Sequence, residues 1–202
     1  MQHFLILGGT GVGKSSTINA LTQKNMAKVG YGSEPKTQTL MGYRAKSCVL
    51  WDTPGLGEGI SEDANHIKMI NSLIKRQSNY DFKHVFLIIE ANKRDFGTVY
   101  RVFEKIVSPS FSSNITVLIN QADRALNGRF WDSERNEPAP ELLQHLDQQA
   151  KRTQKRIKEN TGISVPMPIF YSALTGYGLT RVNELLDVLS RRYEKQESNE
   201  FC

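Results

Sequence analysis

The stretch Phe4-Leu5-Ile6-Leu7-Gly8-Gly9-Thr10-Gly11-Val12-Gly13-Lys14-Ser15-Ser16 decides the fold. Four consecutive apolar residues suit a strand covered on both faces, as parallel strands are. The glycines that follow let the chain turn tightly, and residues 14–23 then read as a helix. The pattern G-x-x-x-x-G-K-[ST] is met at Gly8, Gly13, Lys14 and Ser15, between a strand and a helix as its mechanism requires. Such a loop turns backbone N–H groups inward as a nest, and the helix N-terminus adds partial positive charge. Thr10, Gly11, Val12, Gly13, Lys14, Ser15 and Ser16 are therefore the expected lining of a phosphate site. Lys14 would reach the outer phosphates, and the Ser15 hydroxyl would ligate Mg²⁺.

Outward from this loop, short apolar runs alternate with amphipathic segments, the pattern of an α/β domain. Residues 49–51, 85–89, 115–119 and 169–171 read as further strands, and 39–44 as one more. Residues 60–76 read as a second helix. Val99, Val102, Phe103 and Ile106 mark one face of a third. Leu143, Leu146, Ala150 and Ile157 mark a fourth, and Val182, Leu185, Leu186 and Leu189 a last one. Residues 127–140 are the longest expected loop, with one folded domain over 1–193 and a frayed tail over 194–202.

Three more motifs follow strands. In Trp51-Asp52-Thr53-Pro54-Gly55 a carboxylate ends an apolar run. Burying it alone is costly, so a cation held through water suits Asp52. Gly55 would offer its N–H to the γ-phosphate and permit close approach. In Asn120-Gln121-Ala122-Asp123 the last carboxylate can accept from guanine N1–H and the 2-amino group, which adenine lacks. Ser172-Ala173-Leu174 follows the last strand, and the Ala173 N–H could donate to guanine O6.

These four motifs, in this order, resemble the Ras-like P-loop GTPases over nearly the whole chain. The strings at 10–19, 34–38, 52–57 and 120–123 look like the Era-like branch, closest to small YfjP-type bacterial GTPases often carried on prophages. The resemblance implies a three-layer G domain, a mostly parallel sheet with helices on both faces. It implies GTP hydrolysis to GDP and phosphate with Mg²⁺, as a slow nucleotide-dependent switch. The alternative is a GTP-dependent interaction or dimerisation module with negligible hydrolysis. Residues 26–38 would be switch I, with Thr37 closing on Mg²⁺ and Thr39 its competitor, and 53–62 switch II. Lys14, Thr37 and Gly55 would carry catalysis; Ser15, Thr37 and Asp52 the metal.

Leu56 stands where Ras-type enzymes put a water-orienting glutamine, and an apolar side chain cannot do that work. It is expected to face away from the γ-phosphate. Gln121 replaces the usual lysine, keeping some packing but losing a charge. Net charge is +5; residues 1–101 carry 13 basic and 8 acidic groups, the remainder 13 of each. That suits an anionic ligand in the first half and is too modest to argue for nucleic acid. The basic run around Lys151, Arg152, Lys155, Arg156 and Lys158 reads as a solvated helix face. Two cysteines exclude a disulfide framework, and no apolar run could span a bilayer, so a cytoplasmic protein is expected. Expected partners are GTP and GDP, with a GTP-dependent homodimer or an effector protein beyond them.

Overall fold

The computed structural model describes residues 1–23, 40–75, 81–93, 95–111 and 114–200. Its frame is a six-stranded sheet built from β1 (Gln2–Gly8), β2 (Met41–Arg44), β3 (Cys48–Asp52), β4 (Phe82–Glu90), β5 (Ile115–Asn120) and β8 (Ile169–Phe170). The spatial order is β2-β3-β1-β4-β5-β8. Every pairing is parallel except β2 with β3. Strand order reverses beside β1, so its carboxyl end faces the crevice where such sheets bind ligands.

The apolar run Phe4–Leu7 is fully buried because it feeds two cores at once. Leu5 and Leu7 point to one face, Phe4 and Ile6 to the other, as the period of a strand dictates. The first face is covered by α2 (Ile60–Lys75), by α3 (Gly97–Val102) with its continuation, and by α5 (Pro140–Thr161). The second face is covered by α1 (Lys14–Thr22) and α6 (Leu179–Glu200). The α3 helix continues through a π-helical turn, Phe103–Val107, into the short α4 (Ser108–Ser110). Proline at the first position of α5 and Gly162 at φ 73° after its end bound that helix in the usual way.

Three details depart from the sequence reading. The buried face of α5 is Leu142, Leu146, Ala150, Thr153 and Ile157, whereas Leu143 is 40% exposed. Two adjacent leucines cannot phase a helix by periodicity, and packing against the sheet selects the first. The expected loop 127–140 holds a small hairpin, β6 (Trp131–Asp132) with β7 (Glu137–Pro138). Helix α6 continues through Glu200, so residues 194–200 are helical where a frayed tail was expected.

Candidate nucleotide site

Gly8 ends β1, and the chain turns through residues 9–13 before α1 begins at Lys14. Gly13 has φ 92°, and a Cβ there would run into the Asn120 side-chain amide. The position therefore demands glycine for two reasons at once. Asn120 donates from Nδ2 to the Val12 carbonyl at 2.9 Å. Its Oδ1 accepts the Ala173 N–H at 2.9 Å. One side chain thus ties the phosphate loop to the loop after β8. The Ala173 N–H, expected on guanine O6, is used inside the protein. Gln121 also reaches the phosphate loop, donating from Nε2 to the Gly11 carbonyl at 3.2 Å. The brace survives the loss of the usual lysine charge.

Lys14 is buried, with Nζ donating to the carbonyls of Gly8 (3.2 Å) and Gly9 (2.9 Å). Burial lowers its pKa to about 8, while Asp52 and Glu58 pull the other way. The ammonium is thus held over the loop on two neutral acceptors that a phosphate could displace. Ser15 donates from Oγ to Asp52 Oδ2 at 2.7 Å. These two oxygens come from residues 37 apart in sequence and meet at the strand ends. They are hard oxygen ligands of the kind Mg²⁺ takes.

Asp123 is half-buried, and its Oδ1 is enclosed with no hydrogen-bond partner among the described residues. A buried acceptor left unsatisfied costs about 1–3 kcal/mol, so a ligand N–H at this atom would be favoured. Ser172 is spent internally: its N–H donates to the Tyr177 carbonyl and its Oγ accepts the Thr175 N–H. Leu174 is 73% exposed. Thr37 and Thr39, with the rest of switch I, lie outside the described residues.

The segment after Asp52 is docked on the phosphate loop. Thr10 N–H donates to the Leu56 carbonyl at 3.0 Å, and Leu56 N–H to the Gly8 carbonyl at 3.3 Å. Gly55 packs on Thr10 so closely that a Cβ would lie 2.7 Å from the Thr10 Cα. The Leu56 side chain is buried in the core.

Sequence reasoning missed three participants. Glu58 places its carboxylate against the Thr10 hydroxyl. The only signal was a carboxylate three positions beyond Gly55. Tyr171, read merely as strand, is fully buried and meets Thr17 Oγ1 at 2.6 Å, and Thr17 in turn donates to the Gly13 carbonyl. Asp63 accepts the Gly57 N–H at 2.7 Å and pairs with Arg101, tying this segment to α3.

Residues 3–121 match the family described as 50S ribosome-binding GTPase. The chain belongs to that GTPase family. Among curated relatives, a probable GTP-binding protein EngB of Acholeplasma laidlawii is 40% identical over 96 residues, covering 45% of this chain and 49% of the relative. Its counterpart in Mesomycoplasma hyopneumoniae strain 7448 is 33% identical over 127 residues, covering 60% of this chain and 61% of the relative. The chain thus spans about half to three-fifths of the length of these relatives. In fold it is similar to Toc33 of Arabidopsis thaliana in complex with Mg²⁺ and GMPPNP, at TM-score 0.64 and 16% identity, covering 94% of this chain and 85% of that one. Era in complex with MgGDPNP and a 16S ribosomal RNA segment gives TM-score 0.63 at 20% identity, covering 92% and 56%. These solved structures share the mostly parallel sheet flanked by helices described above.

Proposed function

We propose that this chain binds GTP and GDP with Mg²⁺ and hydrolyses GTP to GDP and phosphate as a nucleotide-dependent switch. The observation that carries the reading is the meeting of Ser15 and Asp52 beside the buried Lys14, on a loop braced by Asn120 and Gln121. Guanine choice rests on Asp123, whose enclosed Oδ1 offers an acceptor toward N1–H and the 2-amino group, donors that adenine lacks at those positions. When bound, Mg²⁺ would neutralise phosphate charge and orient the outer oxygens. Ser15 and Asp52 are the described residues that would hold it, with Thr37, or Thr39, closing from switch I.

The protein's own work is positioning. Lys14 leaves its two carbonyl partners for the phosphates, and the Gly55 N–H aims at the γ-phosphate. Glu58, held by Thr10, can orient or deprotonate the attacking water, a task Leu56 cannot perform. The Era-like assignment, and within it the small YfjP-type proteins, belongs to the same proposal and rests on the strings at 10–19, 34–38, 52–57 and 120–123. So do one G domain over residues 1–193, a cytoplasmic setting, and a second copy or an effector that reads the triphosphate state.

Competition of GTP, GDP and ATP against a fluorescent GDP analogue, with phosphate release followed in Mg²⁺ and in chelator, tests the proposal. GTP and GDP should compete, ATP should not, and turnover should need Mg²⁺. Equal competition by ATP would remove the guanine assignment, and metal-independent turnover the mechanism.

A further inference from the structure

A second concavity lies outside the nucleotide site, between the end of β4, the turn after β5 and α5. Its volume is about 990 Å³. Asn92 closes its floor, donating from Nδ2 to the Arg124 carbonyl at 2.9 Å and accepting the Leu126 N–H at 3.2 Å. Lys93, Arg129, Arg152 and Arg156 line it, and no Asp or Glu is among its described lining residues. Lys93, Arg129 and Arg152 make no ion pair among the described residues. Arg156 stacks its guanidinium over the buried Phe96 ring, 4.2 Å from the centroid.

The basic run that the sequence presented as one solvated face is therefore divided. Arg152 and Arg156 turn into the groove with His145 and Gln149, at positions i, i+4, i+7 and i+11 of one helix face. Lys155 pairs with Glu159 at 3.6 Å, and neither lines the groove. Opposite α5, Phe130 is 51% exposed and has φ 64°. Positive φ is a real outlier for a bulky residue. The strain is held in place by a hydrogen bond from the Ala139 N–H to the Phe130 carbonyl, at 2.8 Å. An aromatic ring kept at the surface by a strained backbone marks a residue set to touch something.

We propose that this groove binds single-stranded RNA, an activity beyond the switch reading and independent of hydrolysis. Cations without acidic neighbours track a phosphate backbone, while an exposed ring and a planar guanidinium give unpaired bases surfaces to stack on. Arg152 and Arg156 stand about 6 Å apart along the helix axis, a spacing suited to successive phosphates of an extended strand. Asn127 and His145 add further hydrogen-bonding groups beside the cations. They suit the 2′-hydroxyls that distinguish RNA from DNA. An acidic peptide would satisfy the cations but leave Phe130 unused.

The test is fluorescence anisotropy of a labelled single-stranded RNA of about ten nucleotides, titrated with GDP-loaded protein at low salt. Affinity should fall steeply as salt rises. Arg152→Glu with Arg156→Glu should weaken binding at least tenfold, and Phe130→Ala at least threefold. Lys151→Glu with Lys155→Glu, the same charge change elsewhere on α5, should weaken it less than about threefold. GDP affinity should hold in every variant. If the double glutamate variant fails to fold, Arg152→Gln and Arg156→Gln tested singly ask the same question. Equal losses from the two charge-reversed pairs would overturn the proposal. So would equal affinity for single-stranded DNA, for duplex RNA or for a glutamate-rich peptide.

Discussion

On the proposed reading, Asp123 would carry the base choice through its enclosed Oδ1. Asp123→Asn replaces an acceptor with a group that can donate, which favours xanthine, whose 2-position bears an oxygen. GTP affinity should fall at least tenfold, about 1.4 kcal/mol or more, the scale of one charge-assisted hydrogen bond; competition titrations with GTP and XTP read it. Glu58 makes the second residue-scale prediction. Its carboxylate stands against Thr10 and supports the charge of Lys14. Glu58→Gln should lower single-turnover hydrolysis at least fivefold while GTP affinity changes less than twofold, the split expected of a group that acts on water. A matching loss in affinity would make Glu58 a phosphate-loop support instead. Much of this site was legible because its motifs are local: the glycines, Lys14 and Ser15 are spaced by the turn they form. The Asn120 brace was not, because its partners at Val12 and Ala173 are distant in the chain and only the sheet brings them together.

At the scale of elements, the segment from Asp52 into α2 acts as one piece clamped at both ends. Leu56 anchors the near end in the core, and Asp63 holds the Gly57 N–H while pairing with Arg101 of α3. Leu56→Ala should cost about 2–4 kcal/mol of stability through the cavity it leaves, yet change turnover by less than about threefold once folded. Urea unfolding and single-turnover kinetics on the same preparation separate the two. A large loss of turnover in folded protein would mean that the side chain serves the chemistry directly. The strands were readable because their apolar runs leave no other burial open to them. The phase of α5 and the hairpin inside 127–140 were not. Leu142 and Leu143 are chemically alike, and the hairpin has only two residues per strand, too few to show alternation.

For the whole molecule, the sheet's second face carries a proton-sensitive element far from the phosphate loop. His84 is buried on β4, with Nδ1 3.0 Å from the Tyr193 hydroxyl on α6 and Nε2 3.0 Å from Thr116 Oγ1 on β5. Burial, aided by the positive charge of Arg192, pushes its pKa down to about 4 from an ordinary 6.5. The folded state thus favours neutral imidazole, and the unfolded chain binds the extra proton first. Between pH 6.5 and 4 the unfolded state holds more protons, so stability falls as pH falls. The contribution is complete above 6.5 and lost below about 4, at most about 3 kcal/mol. Lys14, lowered to about 8, acts in a separate window: for it, nucleotide-free stability rises between about 8 and 10.5. Unfolding free energies of nucleotide-free protein at pH 7, 6 and 5 should therefore decline for the parent and less for His84→Gln, which can still hydrogen-bond but does not titrate there. The difference between the two should shrink by at least about 1 kcal/mol from pH 7 to pH 5. A constant difference would mean that His84 matters only as packing between β4, β5 and α6, and that acid sensitivity arises elsewhere.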